Sequence, residues 1–543
     1  MNKLLSLLMA GFIAGYAAAQ CSEPTSVKIM LIGDSWASFM NIDQTFNTAL
    51  KNWGHSGYRY ISNTTVAENG TETNDFLTAS KLNAIKTLFA QHPNIKVVHM
   101  SIGGNDFLGD WKKSFSPGKT DTLFMQVKGR LLAIVDSLKS FKPGVHIVWS
   151  GYCYPNFREV IQTSGLGSAH PFYDTWQKME FPEFIEINSL LNRVSDSVAA
   201  YAAGDPQFHF VPAMGILQYT FGQTTPLGVP PGGTFQPYTV PLPYGDPNYP
   251  SNKNSMRDYF LTKDCFHLSP TAYLDFIEYQ MQKFYHKFLM DDFYALSDSA
   301  YTGSVSSQGN VTPDVLIGEQ GGEVFAAHLS FQTNSLQNKP IARASVFLRR
   351  ESLSGSNPVN ANLQLKIKSG SFSGSASIEA ADFSAAGDAV GSACVYGVSN
   401  ADKKWFRLDL PASFYPYISN QHPVQITIAP AQGFTGGRVK LSGATDPDFA
   451  PVLNVVYQQN VGVDDAVNAE TANVFPNPAS DYLQLETNGS EIHAVTLYDI
   501  TGRSYPTALL DDNRISTVHL NAGHYFVIVT TSQGILTARF VKE

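Results

Sequence analysis

Between residues 26 and 292 the chain alternates short, continuous apolar runs with longer segments whose apolar positions recur every three or four residues. The runs at 27–32, 96–101, 145–150 and 208–212 have the length and density of strands buried on both faces. Segments 37–53, 125–141 and 182–203 carry helical periodicity, as in Val127, Leu131, Ile134 and Leu138. Strands separated by helices imply parallel crossovers, so residues 26–295 are predicted to form an α/β, doubly wound parallel sheet. Such sheets bind ligands beyond the carboxyl ends of their strands. Residues that directly follow a strand therefore become the candidates for chemistry.

Two stretches break this pattern. Residues 215–259 are rich in Pro, Gly and Tyr, and form an insertion predicted to wall or cover a substrate site. From about residue 300 helical periodicity gives way to period-two alternation, as in Asn362–Lys368 and Val452–Tyr457. Residues 311–458 are predicted to be an antiparallel β-sandwich, 459–471 a polar linker, and 472–543 a small all-β domain. The 543 residues exceed what one hydrophobic core sustains, in keeping with three folded units.

Residues 1–19 read as a signal peptide: Lys3, an apolar stretch at 4–16, then Ala17-Ala18-Ala19. The stretch is short for a bilayer span and no later one is longer, so no integral membrane span is expected. The net charge is −9 with no basic block, which argues against nucleic acid as a partner.

Ser35 follows the first strand within Gly33-Asp34-Ser35, at the start of a predicted helix. There its hydroxyl can meet a substrate while backbone N–H groups face a developing oxyanion. Taken by itself, Ser35 reads first as a helix N-cap. Asn105 follows the second buried run, behind Gly103 and Gly104, and its amide can donate to an oxyanion; Gly-Asn-Asp is also ordinary turn chemistry. Asp264 and His267 stand three residues apart before a helix with Ser269 as cap and Pro270 in its first turn. That spacing can bring a carboxylate onto an imidazole, fixing its tautomer and leaving the other nitrogen for a serine. Pro117-Gly118-Lys119-Thr120 hints at a phosphate loop, but Lys113 stands where its first glycine belongs and no strand precedes it. No metal-ligand pattern is present, and neither metal nor cofactor is expected. Of the cysteines Cys21, Cys153, Cys265 and Cys394, the pair Cys153–Cys265 is a candidate disulfide pinning the Asp264–His267 segment, with two buried thiols as the alternative.

In order and spacing, Gly33-Asp34-Ser35, Gly70, Asn105 and Asp264-x-x-His267 resemble the SGNH (GDSL) hydrolases over about residues 26–292. The resemblance implies a flavodoxin-like sheet and a serine ester hydrolase. Ser35 would be the nucleophile, His267 the general base and Asp264 its orienting carboxylate. Ser35 and Gly70 N–H groups and the Asn105 amide would form the oxyanion hole. Trp36 and Ala272 depart from the family's usual residues. Residues 311–458 resemble DNRLRE-type β-sandwich modules through Leu329–Thr333, Ala344–Leu348 and Pro451–Tyr457, which implies a spacer or a carbohydrate-binding role. Val474-Phe-Pro-Asn-Pro478, Tyr498–Arg503 and Leu520–Tyr525 resemble the type IX secretion sorting domain. This resemblance implies type IX machinery as a partner, removal of the domain, and a secreted or outer-surface product. The joint expectation is an exported esterase or lipase acting on acylated polysaccharide, lipid or other exogenous esters. The competing expectation is an adhesin or carbohydrate-binding protein with an inactive hydrolase domain.

Overall fold

The computed structural model describes residues 23–225, 233–458, 470–487, 490–505, 507–510, 512–531 and 534–543. The predicted signal peptide, Cys21 and most of the predicted linker lie outside the described residues.

Strands β1 (Ser26–Gly33), β2 (Tyr58–Ile61), β3 (Val97–Ser101), β4 (His146–Trp149) and β5 (Phe208–Phe210) pair in the order β2-β1-β3-β4-β5. Every pairing is parallel. This is the flavodoxin-like, doubly wound order. The unbroken apolar runs sit at its centre: Ile29 to Ile32, Val97 and Val98 are fully buried. The edge strand β2 is only four residues long and alternates in burial, so it carries no run to mark it.

The helices of this region are α1 (Ser35–Ile42), α2 (Thr45–Asn52), α3 (Ala79–Gln91), α4 (Gly104–Asp110), α5 (Pro117–Phe141), α6 (Phe157–Thr163), α7 (Tyr173–Lys178), α8 (Phe184–Ala202), α9 (Ile216–Phe221) and α10 (Pro270–Gln280). The helix expected over 37–53 is two, broken where Gln44 adopts a left-handed φ of 53°. Ser116 caps Lys119 N, so Pro117-Gly118-Lys119-Thr120 is simply the first turn of α5. The insertion after β5 adds a two-stranded pair, β6 (Gln223–Thr225) and β7 (Gly233–Phe235). A hairpin follows, β8 (Met256–Tyr259) and β9 (Thr262–Leu268).

Downstream lies a thirteen-stranded sheet. The long strand Ile341–Gly355 belongs to both of its halves. Residues 341–349 pair with Trp405–Asp409 and Val452–Tyr457, whereas 350–355 pair with Gly437–Leu441 after a register shift at Arg350/Ser352. An irregularity of this kind bends a strand and lets it serve two faces. Val346 and Phe406 from one half share a core with Ile317 and Ile426 from the other. The expected sandwich thus has its two halves joined through this one strand into a continuous antiparallel sheet folded over a single core.

Residues up to Gln458 form one compact unit and Gln459–Glu543 a second. Within the first unit the change of texture near residue 300 marks a change of architecture, not a break. Trp53 of the α/β region stacks on Trp405 of the large sheet with ring centroids 5.6 Å apart. The His286 ring is 4.3 Å from Trp405, and Lys404 pairs with Glu278 at 2.6 Å. The Asn454 amide donates to the carbonyls of Asp291 and Phe293 at 2.8 and 2.9 Å. The second unit packs short antiparallel strands over Leu483, Leu497, Ile515, Val527 and Phe540. Among the described residues no helix is long and apolar enough to cross a membrane.

His55 and His286 face each other in this seam, Nε2 to Nδ1 at 3.1 Å. Burial pulls His55 down to about 3 and His286 well below its ordinary value, and it pulls His99, on strand β3, to about 3. In the unfolded chain these rings take up protons near pH 6.5; in the folded one they stay neutral. Between pH 6.5 and about 3 the unfolded state thus binds more protons, and stability falls as pH falls. Urea midpoints measured at pH 7.5 and pH 5 should show the loss, about 1.4 kcal/mol per pH unit for each histidine once below its unfolded value.

Candidate active site

The first turn of α1 begins directly at the end of β1. Gly33 has φ +149°, and a Cβ there would lie 1.9 Å from the Ser101 carbonyl oxygen, so only glycine lets β1 approach β3 this closely. Asp34, not Ser35, is the N-cap, its carboxylate accepting from Trp36 N at 2.9 Å. The capping duty expected of the serine falls to its neighbour, and the Ser35 hydroxyl is left to turn elsewhere.

It turns to His267. Ser35 Oγ lies 2.7 Å from His267 Nε2, and His267 Nδ1 lies 2.8 Å from Asp264 Oδ2. A carboxylate can only accept, so Nδ1 is the donor and Nε2 is free to accept from the serine. The other carboxylate oxygen of Asp264 accepts from the backbone N–H of Phe266 and of His267, both at 2.9 Å. Asp264 thus holds the ring and the backbone that carries it. These residues lie on strand β9, not on a loop, and the hairpin with β8 keeps them extended. Asp264 is 1% exposed, Ser35 7% and His267 9%. The site is closed to bulk water but not sealed.

Trp36 and Tyr152 bind the pieces together. Trp36 Nε1 donates to the Phe266 carbonyl at 3.1 Å, tying α1 to β9. Its ring packs edge-on against Tyr152, Tyr273 and Phe276. The Tyr152 hydroxyl donates to Asp34 Oδ2 at 2.5 Å and accepts from Gly104 N at 2.9 Å. One phenol therefore fastens the Ser35 turn to the start of α4. A Cβ on Gly104 would meet the Tyr152 ring at 2.9 Å, which accounts for the glycine there. Burial raises the Asp34 carboxyl to about 6, opposed by the bonds from Tyr152 and from Trp36 N.

Asn105 sits in the first turn of α4, and its side-chain Nδ2 donates to the Thr71 carbonyl at 3.0 Å. It lines, with Ser35, a narrow cleft. Gly70 lies at an exposed turn with φ +78° and is not among the residues lining that cleft. The expected wall from residues 215–259 is likewise absent: none of its described residues lines the cleft. Asn188 of α8 ties the insertion down by donating to the carbonyls of Pro247 and Tyr249, and Gln218, within the insertion, braces it internally on those of Asp246 and Pro250. The walls come instead from α4, α5 and α8, whose apolar positions read in sequence as ordinary core.

The candidate disulfide is not formed. Cys153 and Cys265 are both buried free thiols. Cys153 Sγ faces the Ala213 carbonyl at 3.7 Å. Burial pushes both thiols well above their usual range, so they are unreactive in the folded state. Cys394 is disulfide-bonded. Among the described residues no group of three or more His, Cys, Asp or Glu is placed to hold a metal ion.

Comparison with known proteins adds a likeness at each end of the chain. Residues 473–543 match the family described as secretion system C-terminal sorting domain. The chain carries a secretion sorting domain. No curated protein matches the sequence. Among solved structures, a family 3 carbohydrate esterase from Clostridium thermocellum is 14% identical, covering 49% of this chain and 99% of its own, with a TM-score of 0.26. A GDSL-like lipase from Bacteroides thetaiotaomicron is 14% identical over 50% of this chain and 94% of its own, with a TM-score of 0.26. A carbohydrate esterase family 3 structure from Talaromyces cellulolyticus is 11% identical over 49% of this chain and 100% of its own, with a TM-score of 0.27.

Thiol titration of the unfolded, non-reduced protein should find the two free cysteines, and the native protein should react slowly. A mapped peptide linking Cys153 to Cys265 would contradict this arrangement.

Proposed function

We propose that the chain is an exported carboxylic ester hydrolase that works through an acyl-serine intermediate. The observation that carries this reading is the unbroken relay from Asp264 through His267 to Ser35, with contacts of 2.8 and 2.7 Å. Ser35 Oγ attacks the ester carbonyl carbon while its proton passes to His267 Nε2. The imidazolium so formed is stabilised by Asp264. The carbonyl oxygen becomes an oxyanion, for which the proposed donors are the Ser35 N–H and the Asn105 amide, with the N–H of Gly70, outside the cleft lining but adjacent to the Thr71 that Asn105 holds, as the third. Thr71 occupies one Asn105 N–H and fixes the plane of the amide, leaving a second donor. Collapse of the adduct breaks the bond to the alcohol, which leaves with the proton from His267. A water molecule then gives its proton to His267 and attacks the acyl carbon; the bond to Ser35 Oγ breaks, His267 returns the proton to that oxygen, and the acid leaves.

The secretion sorting domain at residues 473–543 supports an exported product, delivered by type IX machinery to the medium or the outer cell surface. The substrates of this reading are esters met outside the cell, whether acylated glycans or lipids.

Ser35→Ala and His267→Ala should each lower kcat/KM for p-nitrophenyl esters by about 10³–10⁶-fold, and the double variant should lose little more, because the pair acts as a unit. Additive losses would contradict the assignment. Activity should also fall on the acid side, since a protonated His267 cannot accept the serine proton. A flat kcat/KM profile between about pH 4 and 8 would count against a histidine base.

A further inference from the structure

Behind Ser35 the cleft runs inward between α4, α5 and α8. Its lining is hydrocarbon: Phe107, Val127, Leu131, Trp149, Leu190 and Val194 represent the walls. The few polar groups facing it are already engaged. Asp34 accepts from Tyr152 and from Trp36 N, and Ser195 Oγ lies 3.2 Å from the Met214 sulfur. At the reacting end Asn105 and Ser35 offer hydrogen bonds, and along the walls the Trp111 indole is the polar exception. A sugar ring placed here would strip its hydroxyls of water with nothing to replace it, at a cost in affinity for each. A methylene chain loses nothing and gains from every carbon buried.

A second cavity shares four of these walls. Phe107, Val127, Leu131 and Val194 also line a groove between α5 and α8 that includes Phe124, Met125 and Arg193. Met125 is 67% exposed, so this groove opens at the surface. The two cavities therefore abut through these four side chains, and the outer one adds Asp121, Lys128 and Ser197 at its rim. From Leu131 to Phe124 the helix advances about 10 Å, room for a chain well beyond acetyl.

We infer that this cleft is the acyl site, and that the substrate is the ester of a medium or long unbranched fatty acid whose hydrocarbon tail lies between α5 and α8. The inference rests on the ester-hydrolase reading and assigns the acid half of the ester. The alcohol leaves from the other side of Ser35, where the cleft opens.

The test is a chain-length series. The full exported chain is assayed with p-nitrophenyl acetate, butyrate, octanoate and laurate, and its Ser35 is titrated with p-nitrophenyl alkylphosphonates of matching length. Each methylene buried is worth up to about fourfold, so kcat/KM and phosphonylation rates should rise at least about tenfold from two carbons to eight. Val194→Trp, which fills the wall common to both cavities, should lower the octanoate-to-acetate ratio about tenfold or more. The phosphonate series needs no substitution, so it decides even if that variant is unstable. Rates that fall with chain length would overturn the acyl assignment and leave the esterase intact. A chain that neither turns over any ester nor is labelled by any phosphonate would overturn the esterase reading itself, and the acyl site with it.

Discussion

A single hydrogen bond between Ser35 and His267, residues separated by 232 positions, sets the condition that the rest of the α/β region has to meet. Closing a loop of that length costs on the order of 5 kcal/mol in chain entropy, far more than one hydrogen bond returns. The contact exists because other groups hold both ends in place. Gly33 allows β1 to press against β3, Asp34 caps α1, and Trp36 reaches across to the Phe266 carbonyl. On the far side Asp264 fixes its own strand through three accepted bonds. The relay is therefore the result of the carboxyl end of an interior strand and a hairpin, each held by bonds of its own.

What could be read from the sequence follows the range of the interactions. Ser35, Asp264 and His267 announce themselves because each is fixed by neighbours within three residues: a strand end, a cap, an i,i+3 spacing. The parallel sheet is legible for the same reason, since an apolar run buried on both faces needs no partner to be recognised. Tyr152 was invisible, because its role lies in bonds to residues 118 and 48 positions away. The cleft walls were hidden in plain sight: Val127 and Leu131 have the periodicity of any buried helix face, and nothing local distinguishes a core from a cavity. The insertion at 215–259 misled for the converse reason. Its aromatic, Pro-rich composition suggests a substrate wall, yet buried Asn188 binds its backbone to α8, and buried Gln218 braces it from within.

The large sheet shows how texture and architecture differ from independence. Residues beyond 300 look like a separable module, and their alternation does make a separate core. Yet Trp53, His55 and His286 lie against Phe347 and Trp405, so the two architectures share a buried aromatic seam. The strand Phe293–Leu296, which leaves the α/β region, pairs with Val452–Tyr457 at the other end of the sheet's sequence. First and last strands are neighbours, and both close onto the same seam. The sheet thus serves as a buttress for α2 and for the helix that follows β9, whatever it binds.

The two unpaired thiols give the site a history as well as a geometry. Cys265 separates Asp264 from the catalytic histidine candidate, and Cys153 lines the cleft. In an exported chain both pass through surroundings in which exposed thiols are oxidised or mispaired. Nothing covalent protects them; only enclosure does. The sheet and hairpin must close around them faster than an oxidant arrives, and a chain that folds slowly would arrive with a modified cysteine wedged beside its relay. For this protein the speed of burial is part of what preserves the chemistry.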